Sequence, residues 1–229
     1  MATRIVTFDA GQTLIELDLD FLAKRAAVRG VLVEPEALRA AAPAAWRHYD
    51  ALVDAGALDH TALWRALMAH LLAGARATGD VPAAVSWLYE QQPAVNVFRK
   101  PIAGMAELAR ELAAQGVRVA VLSNSEGGLA ELLADIGIAD AFELIVDSAR
   151  VGVAKPDVRI FEHVTARFGA AAADCTHVGD SWSADVAGAL GAGWRAIWFG
   201  RHAHAGVDPR VQIAHDAAGV RRALAQRLA

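Results

Sequence analysis

Hydrophobic and polar positions follow two regimes along this chain, one with a strand-like period and one with a helical period. The first apolar run, Ile5-Val6-Thr7-Phe8, is short, β-branched and aromatic. It stops at Asp9, with Gly11 two residues on, which is the pattern of a buried strand ending in a turn. From about residue 16 to residue 92 the period changes. Ala and Leu dominate, with Trp, His and Arg at spacings of three and four, and no β-branched alternation interrupts them. Four helices are predicted there. Asp18 and Asp20 offer caps for the first, to about Arg29, and Pro35 and Glu36 open the second, through Ala51. His60 and Thr61 open the third, with Leu63, Leu67, Leu71 and Leu72 on one face, and Val81 and Pro82 precede the fourth, to about Gln92.

After a linker at residues 94–101 the pattern alternates. A helix over 105–115, ended by Gly116, is followed by a strand to Ser123, a helix over 129–136, a strand over 144–146 and a helix over 158–168. A strand over 176–178, a helix over 185–190 and a strand over 195–199 complete the series. Repeated βα units of this length predict an α/β fold, a parallel doubly wound sheet with right-handed crossovers. The expected organisation is therefore a core of residues 1–15 and 94–229, with a helical cap of residues 16–93 inserted after the first strand. An insertion at that point would hang over the strand's carboxyl end, the place of a lid.

Composition narrows the classes of function. With 229 residues and 55% hydrophobic content the chain can bury a large core. Lys and Arg total 22 against 26 Asp and Glu, for a formal charge of −4, so no broad basic field invites a nucleic acid. No apolar run is long enough to span a bilayer, and the amino terminus lacks the pattern of a secretory leader. One cysteine, Cys175, excludes an internal disulfide and reads as a small packed hydrophobe. The expectation is a cytoplasmic protein acting on a small molecule, with neither nucleic acid nor membrane as partner.

The candidate chemistry lies at strand ends. Asp9 closes the first strand, and Ser123-Asn124 closes the next with a hydroxyl and a turn rich in amide groups. Lys155 stands in G-V-A-K-P-D, and H-V-G-D-S-W-S-A-D supplies Asp180 and, five residues on, Asp185. In a doubly wound sheet these ends face one crevice. Three carboxylates and one ammonium in one crevice repel unless a cation joins them, and an all-oxygen donor set with room for water suits Mg²⁺.

Those four segments, D-A-G-Q-T-L, S-N, K-P and G-D-S-x-x-x-D, resemble in order and spacing the motifs of the haloacid dehalogenase-like hydrolase superfamily, in its helical-cap dehalogenase and phosphatase subgroup. The resemblance implies a Rossmann-like core and an aspartyl-phosphate mechanism, with Asp9 as nucleophile. It implies that Ser123 and Lys155, with Asn124 and Thr13, hold the phosphoryl group of a small phosphorylated metabolite. It further implies Mg²⁺ on Asp9, the Gly11 carbonyl and Asp180, with Asp185 supporting through water. Phosphatases of the superfamily generally carry a second Asp, the general acid and base, where this chain has Gly11. Loss of such a group costs on the order of 10² to 10⁴ in rate. Slow turnover or restriction to good leaving groups is expected, with Glu16, Gln12, Glu126 and the cap histidines His48, His60 and His70 as candidate substitutes.

Alternative readings remain at this stage. One is a silent phosphate- and metal-binding protein, which Gly11 favours. Another is a hydrolytic dehalogenase, which Asp180 and Asp185 argue against. A third is a phosphonate hydrolase, which would need a cap lysine and finds only Lys24. Arg25 and Arg47 could meet a substrate anion from the cap, while His177 reads as a packed core residue and His202 and His204 as solvated.

Overall fold

The computed structural model describes residues 4–56, 59–200 and 208–228, so His202 and His204 lie outside the described residues. Strand β1, Ile5–Phe8, is buried along its whole length and lies inside a six-stranded sheet. Every pairing in that sheet is parallel, and its order is β5-β4-β1-β6-β7-β8. The other strands are β4 (Arg118–Ser123), β5 (Leu144–Asp147), β6 (Cys175–Gly179), β7 (Arg195–Phe199) and β8 (Val211–Ala214). Helices α5 (Met105–Ala114), α6 (Leu129–Asp135) and α10 (Ala217–Leu228) cover one face, and α8 (Val158–Phe168) and α9 (Ala187–Gly191) cover the other. A four-residue helix, α7 (Ser148–Val151), follows β5. The result is the doubly wound α/β fold that the alternation predicts.

Side-chain alternation along β1 assigns each residue to a layer. Val6 and Phe8 pack with Leu108, Leu112, Val220 and Leu224 on the first face, and Ile5 packs with Ile160, Phe161 and Cys175 on the second. Phe8 is fully buried and sits 6.3 Å from Phe142, edge to face. Truncating it to Ala would cost about 3–5 kcal/mol.

The chain divides into two compact units, Met1–Glu16 with Phe98–Ala229, and Leu17–Val97. The second unit is helical: α1 (Leu19–Ala27), α2 (Pro35–Ala55), α3 (His60–Gly74) and α4 (Val81–Glu90). Asp18, Asp59 and Asp80 cap α1, α3 and α4 by accepting backbone N–H bonds. Residues 94–97 belong to this unit, where the Val97 carbonyl accepts from the Asp18 N–H at 2.9 Å. The expected linker is partly a strand, β3 (Phe98–Pro101), paired with β2 (Ile15–Leu17) in a two-stranded ribbon.

Two further elements, β8 and α10, go beyond the sequence pattern. β8 is an edge strand buried only at its ends, so its alternation is weak, and α10 mixes its apolar positions with arginines. Residues 182–186 form a single π-helical turn before α9, where the sequence predicts an ordinary helix from Asp185. Among the described residues no helix is long and apolar enough to cross a membrane.

Candidate active site

Asp9 continues β1 by one residue, its N–H donating to the Val178 carbonyl at 2.8 Å, so its backbone is locked to β6. The chain then reverses in a tight loop. The Ala10 carbonyl accepts from the N–H groups of Leu14 and Ile15 at 2.8 and 2.9 Å, and Gln12 N–H donates to Ile15 at 2.7 Å. Gln12 adopts the left-handed region at φ 55°, which disfavours a residue with a Cβ by roughly 1–2 kcal/mol. Gly11 needs no such conformation: a Cβ built there meets nothing within 4 Å. No hydrogen bond to the Gly11 carbonyl forms among the described residues.

Lys155 reaches the same point from the loop between α7 and α8. Its ammonium donates to Asp9 Oδ1 at 2.7 Å and to Asp185 Oδ1 at 2.5 Å, and its side chain is almost completely buried. The Lys155–Pro156 peptide is cis. Asn124, just past β4, clamps the lysine backbone: its Nδ2 donates to the Lys155 carbonyl at 2.9 Å, and its Oδ1 accepts the Lys155 N–H at 2.8 Å. Both polar atoms of the Asn124 side chain are thus engaged with Lys155.

The end of β6 supplies the remaining carboxylates. Asp185 Oδ2 accepts from Ser181 N–H at 2.8 Å, and Oδ1 is shared by Lys155 and, at 3.0 Å, His177 Nε2. The Trp198 indole N–H donates to the Asp180 carbonyl at 2.9 Å, which fixes the turn carrying that side chain. One carboxylate oxygen from each of Asp9, Asp180 and Asp185 lies within 4.8 Å of the others.

Burial and the neighbouring charges set the proton affinities. Burial pushes the Asp9 carboxyl up against the pull of Lys155, and Asp185 adds to the rise. Burial and then Asp185 and Asp9 hold Asp180 well above the usual carboxylate range. Asp185 also suffers from burial, but Lys155 and His177 outweigh it and hold its carboxyl below the usual range. Lys155 stays charged because the two aspartates outweigh its burial, while burial keeps His177 neutral. Burial likewise pushes the Cys175 thiol up to about 12, consistent with an inert packed residue.

Three carboxylates against one ammonium leave excess negative charge, and Asp180 bears it. A hard divalent cation relieves that excess, so the donor set fits Mg²⁺. Both Asp185 oxygens are engaged by Lys155, His177 and Ser181, whereas Lys155 takes only Oδ1 of Asp9, so within this cluster Asp9 and Asp180 are the carboxylates with oxygens to offer a cation.

The other predicted residues are placed as follows. Ser123 ends β4 on the strand adjoining β1, two residues beyond Val121, which pairs with Phe8. Thr13 is fully buried, with a hydroxyl that has no hydrogen-bond partner among the described residues. Glu16 is paired with Lys100 at 2.7 Å on the two-stranded ribbon. His48 and His70 stack on each other at 4.4 Å, and Arg25 lies over the Trp87 ring at 4.5 Å, all within the helical unit. Sequence reasoning missed Thr7, His177 and Trp198 as parts of the site. Their only signal is a polar or amphipathic residue within an apolar strand, which does not disclose its partner.

Comparison with known proteins is decisive for the family: residues 3–193 match the haloacid dehalogenase-like hydrolase family. The chain belongs to that family. It is therefore a hydrolase of the haloacid dehalogenase-like type. It is 28% identical over 203 residues to haloacid dehalogenase-like hydrolase domain-containing protein 3 of Mus musculus, covering 85% of this chain and 80% of the mouse protein. It is 40% identical over 88 residues to the phosphoserine phosphatase of Thermus thermophilus, a match spanning 38% of this chain and 35% of that enzyme. In fold it resembles the magnesium-bound HAD-hydrolase YfnB of Bacillus subtilis, with a TM-score of 0.72 at 18% identity over 98% of this chain and 99% of that one.

Proposed function

We propose that this protein is a Mg²⁺-dependent phosphatase that hydrolyses a small phosphorylated metabolite through an aspartyl-phosphate on Asp9. The observation that carries this reading is the contact between Asp9 and the buried Lys155 ammonium, 2.7 Å apart at the end of β1, with two further carboxylates beside them. The phosphatase relatives point the same way.

In this mechanism the Asp9 carboxylate attacks phosphorus and the ester P–O bond breaks. Water then attacks the aspartyl-phosphate, releasing inorganic phosphate and restoring Asp9. Lys155 and Ser123 bind phosphoryl oxygens, and the ammonium offsets the repulsion between anionic nucleophile and anionic substrate. Mg²⁺ held by Asp9, Asp180 and the Gly11 carbonyl would neutralise charge on the phosphoryl oxygens. Asp185 keeps Lys155 charged and in place. Position 11 offers no side chain to protonate the leaving oxygen, which must take its proton from solvent, so turnover is slow and favours good leaving groups such as acyl phosphates.

Gly11 also supports a second reading, a silent protein that binds phosphate and metal without turnover. A panel of phosphorylated metabolites, with acetyl phosphate and p-nitrophenyl phosphate, separates the two when assayed with and without Mg²⁺. We expect Mg²⁺-dependent phosphate release that Asp9→Asn abolishes. Absence of turnover by both the natural protein and Gly11→Asp would establish the binding reading instead.

A further inference from the structure

We propose that His177 is a positioning residue for this site: pinned by Thr7, its ring holds the Asp185 carboxylate, and through it the Lys155 ammonium, in place against Asp9. The kinetic arm of the argument rests on the phosphatase reading above, and the structural arm does not.

The layer between the sheet and helices α8 and α9 is otherwise apolar, built from Ile5, Cys175, Ile160, Phe161, Val164 and Trp194. Thr7 and His177 sit inside the sheet as register partners on β1 and β6, and both are completely buried. An imidazole there is costly unless both nitrogens are bonded. Both are: Nδ1 lies 2.7 Å from the Thr7 hydroxyl and Nε2 lies 3.0 Å from Asp185 Oδ1.

The chemistry of the partners fixes the direction of each bond. An ionised carboxylate only accepts, so Nε2 carries the hydrogen and Nδ1 accepts from the Thr7 hydroxyl. The Phe161 ring packs edge-on against the imidazole at 5.6 Å and 88°. The ring is therefore held at both nitrogens and on its flank.

One track of hydrogen bonds then runs from the middle of the sheet to the strand ends: Thr7, His177, Asp185, Lys155, Asp9. Asp185 cannot rotate without breaking the bonds from His177 and from Ser181 N–H. If the His177 donor is removed, Asp185 Oδ1 keeps only Lys155 as partner. The carboxylate, then anchored in the protein backbone only through Ser181 N–H on Oδ2, can swing about that bond and draw the ammonium with it, and an error of about 1 Å in such a group costs on the order of 10² in rate.

The test measures Mg²⁺-dependent hydrolysis of acetyl phosphate together with crystal structures of the variants. For His177→Phe we expect kcat to fall about tenfold to a hundredfold with KM changed less than about twofold, and the Lys155 ammonium to be displaced from Asp9. His177→Gln, which restores an N–H donor near the depth of Nε2, recovers part of kcat. Thr7→Val lowers kcat in the natural background and has no further effect in His177→Phe, because the two act along one track. Unchanged kcat in His177→Phe, or Lys155 still seated on Asp9 in its structure, would overturn the proposal, whatever happens to melting temperature. If the natural protein turns over no phosphate, the functional reading falls and the Lys155 position in the variant alone decides this one. If His177→Phe does not fold, Thr7→Val carries the same two readouts.

Discussion

A Cβ on Gly179 would lie 2.6 Å from the Cβ of Asp185, and closer still to the carboxylate itself. No side chain fits there, because Asp185 folds back over the end of β6 to reach Lys155 and His177. Gly179→Ala must therefore push Asp185 aside, with loss of the clamp on Lys155. We expect kcat to drop by about 10² or more, and the melting temperature to fall as the buried ion pair loses a partner. Steady-state kinetics and a thermal melt check both, and a variant with natural kcat would contradict the account of Asp185.

Asn124 makes two half-buried bonds to the backbone of Lys155. Replacing it with Leu leaves a backbone N–H and a carbonyl unpaired in a half-buried loop, at a cost of about 1–3 kcal/mol each at most. Urea denaturation should show a lower midpoint with an unchanged slope. kcat should fall as the lysine loop loosens.

Position 11, in the loop that follows Asp9, has open space around a built Cβ, and its backbone lies outside the left-handed region. Gly11→Asp should fold without strain and place a carboxyl two residues from Asp9, the proposed nucleophile. The expected gain in kcat on poor leaving groups is about 10² or more, and smaller on acetyl phosphate, whose leaving group needs little protonation. An equal gain on both substrates would assign the effect to something other than proton transfer.

If Mg²⁺ binds as proposed, it competes with protons at Asp9 and Asp180. Both carboxyls are raised in the folded state, chiefly by burial, so the folded chain holds protons that the unfolded chain has released. Their contribution to stability is present below the unfolded carboxyl pKa and is lost as pH rises through the raised folded values. Asp185 is lowered and behaves oppositely, its contribution being lost as pH falls. The increment due to Mg²⁺ isolates the first pair: the rise in melting temperature should be larger at about pH 7.5 than at about pH 5. Asp180→Asn should abolish that increment and raise the metal-free melting temperature at neutral pH. An increment that grows on acidification would exclude these carboxylates as the ligands.

Local chemistry made much of this legible in advance. The run Ile5–Phe8 ending at Asp9, the strand into Ser123 and the segment before Asp180 each carry a buried-strand pattern. Their ends could be read as candidates because parallel sheets deliver strand ends to one crevice. The helical block between residues 16 and 92 was equally plain from its period. What failed was local where the signal was weak: β8 at the sheet edge, the ribbon of β2 and β3, and the π-helical turn at residues 182–186.

The sequence by itself determined which groups this protein can use: one aspartate after the first strand, a lysine before Pro156, a Gly-Asp pair, and no acid at position 11. Only the tertiary structure decided how they are divided. It assigned Asp185 to Lys155, Asn124 to the lysine backbone, and His177 to a polar track. Periodicity reports which face of an element is buried, whereas the partner of a buried polar group depends on sheet register and on contacts up to 170 residues apart, which no local pattern encodes.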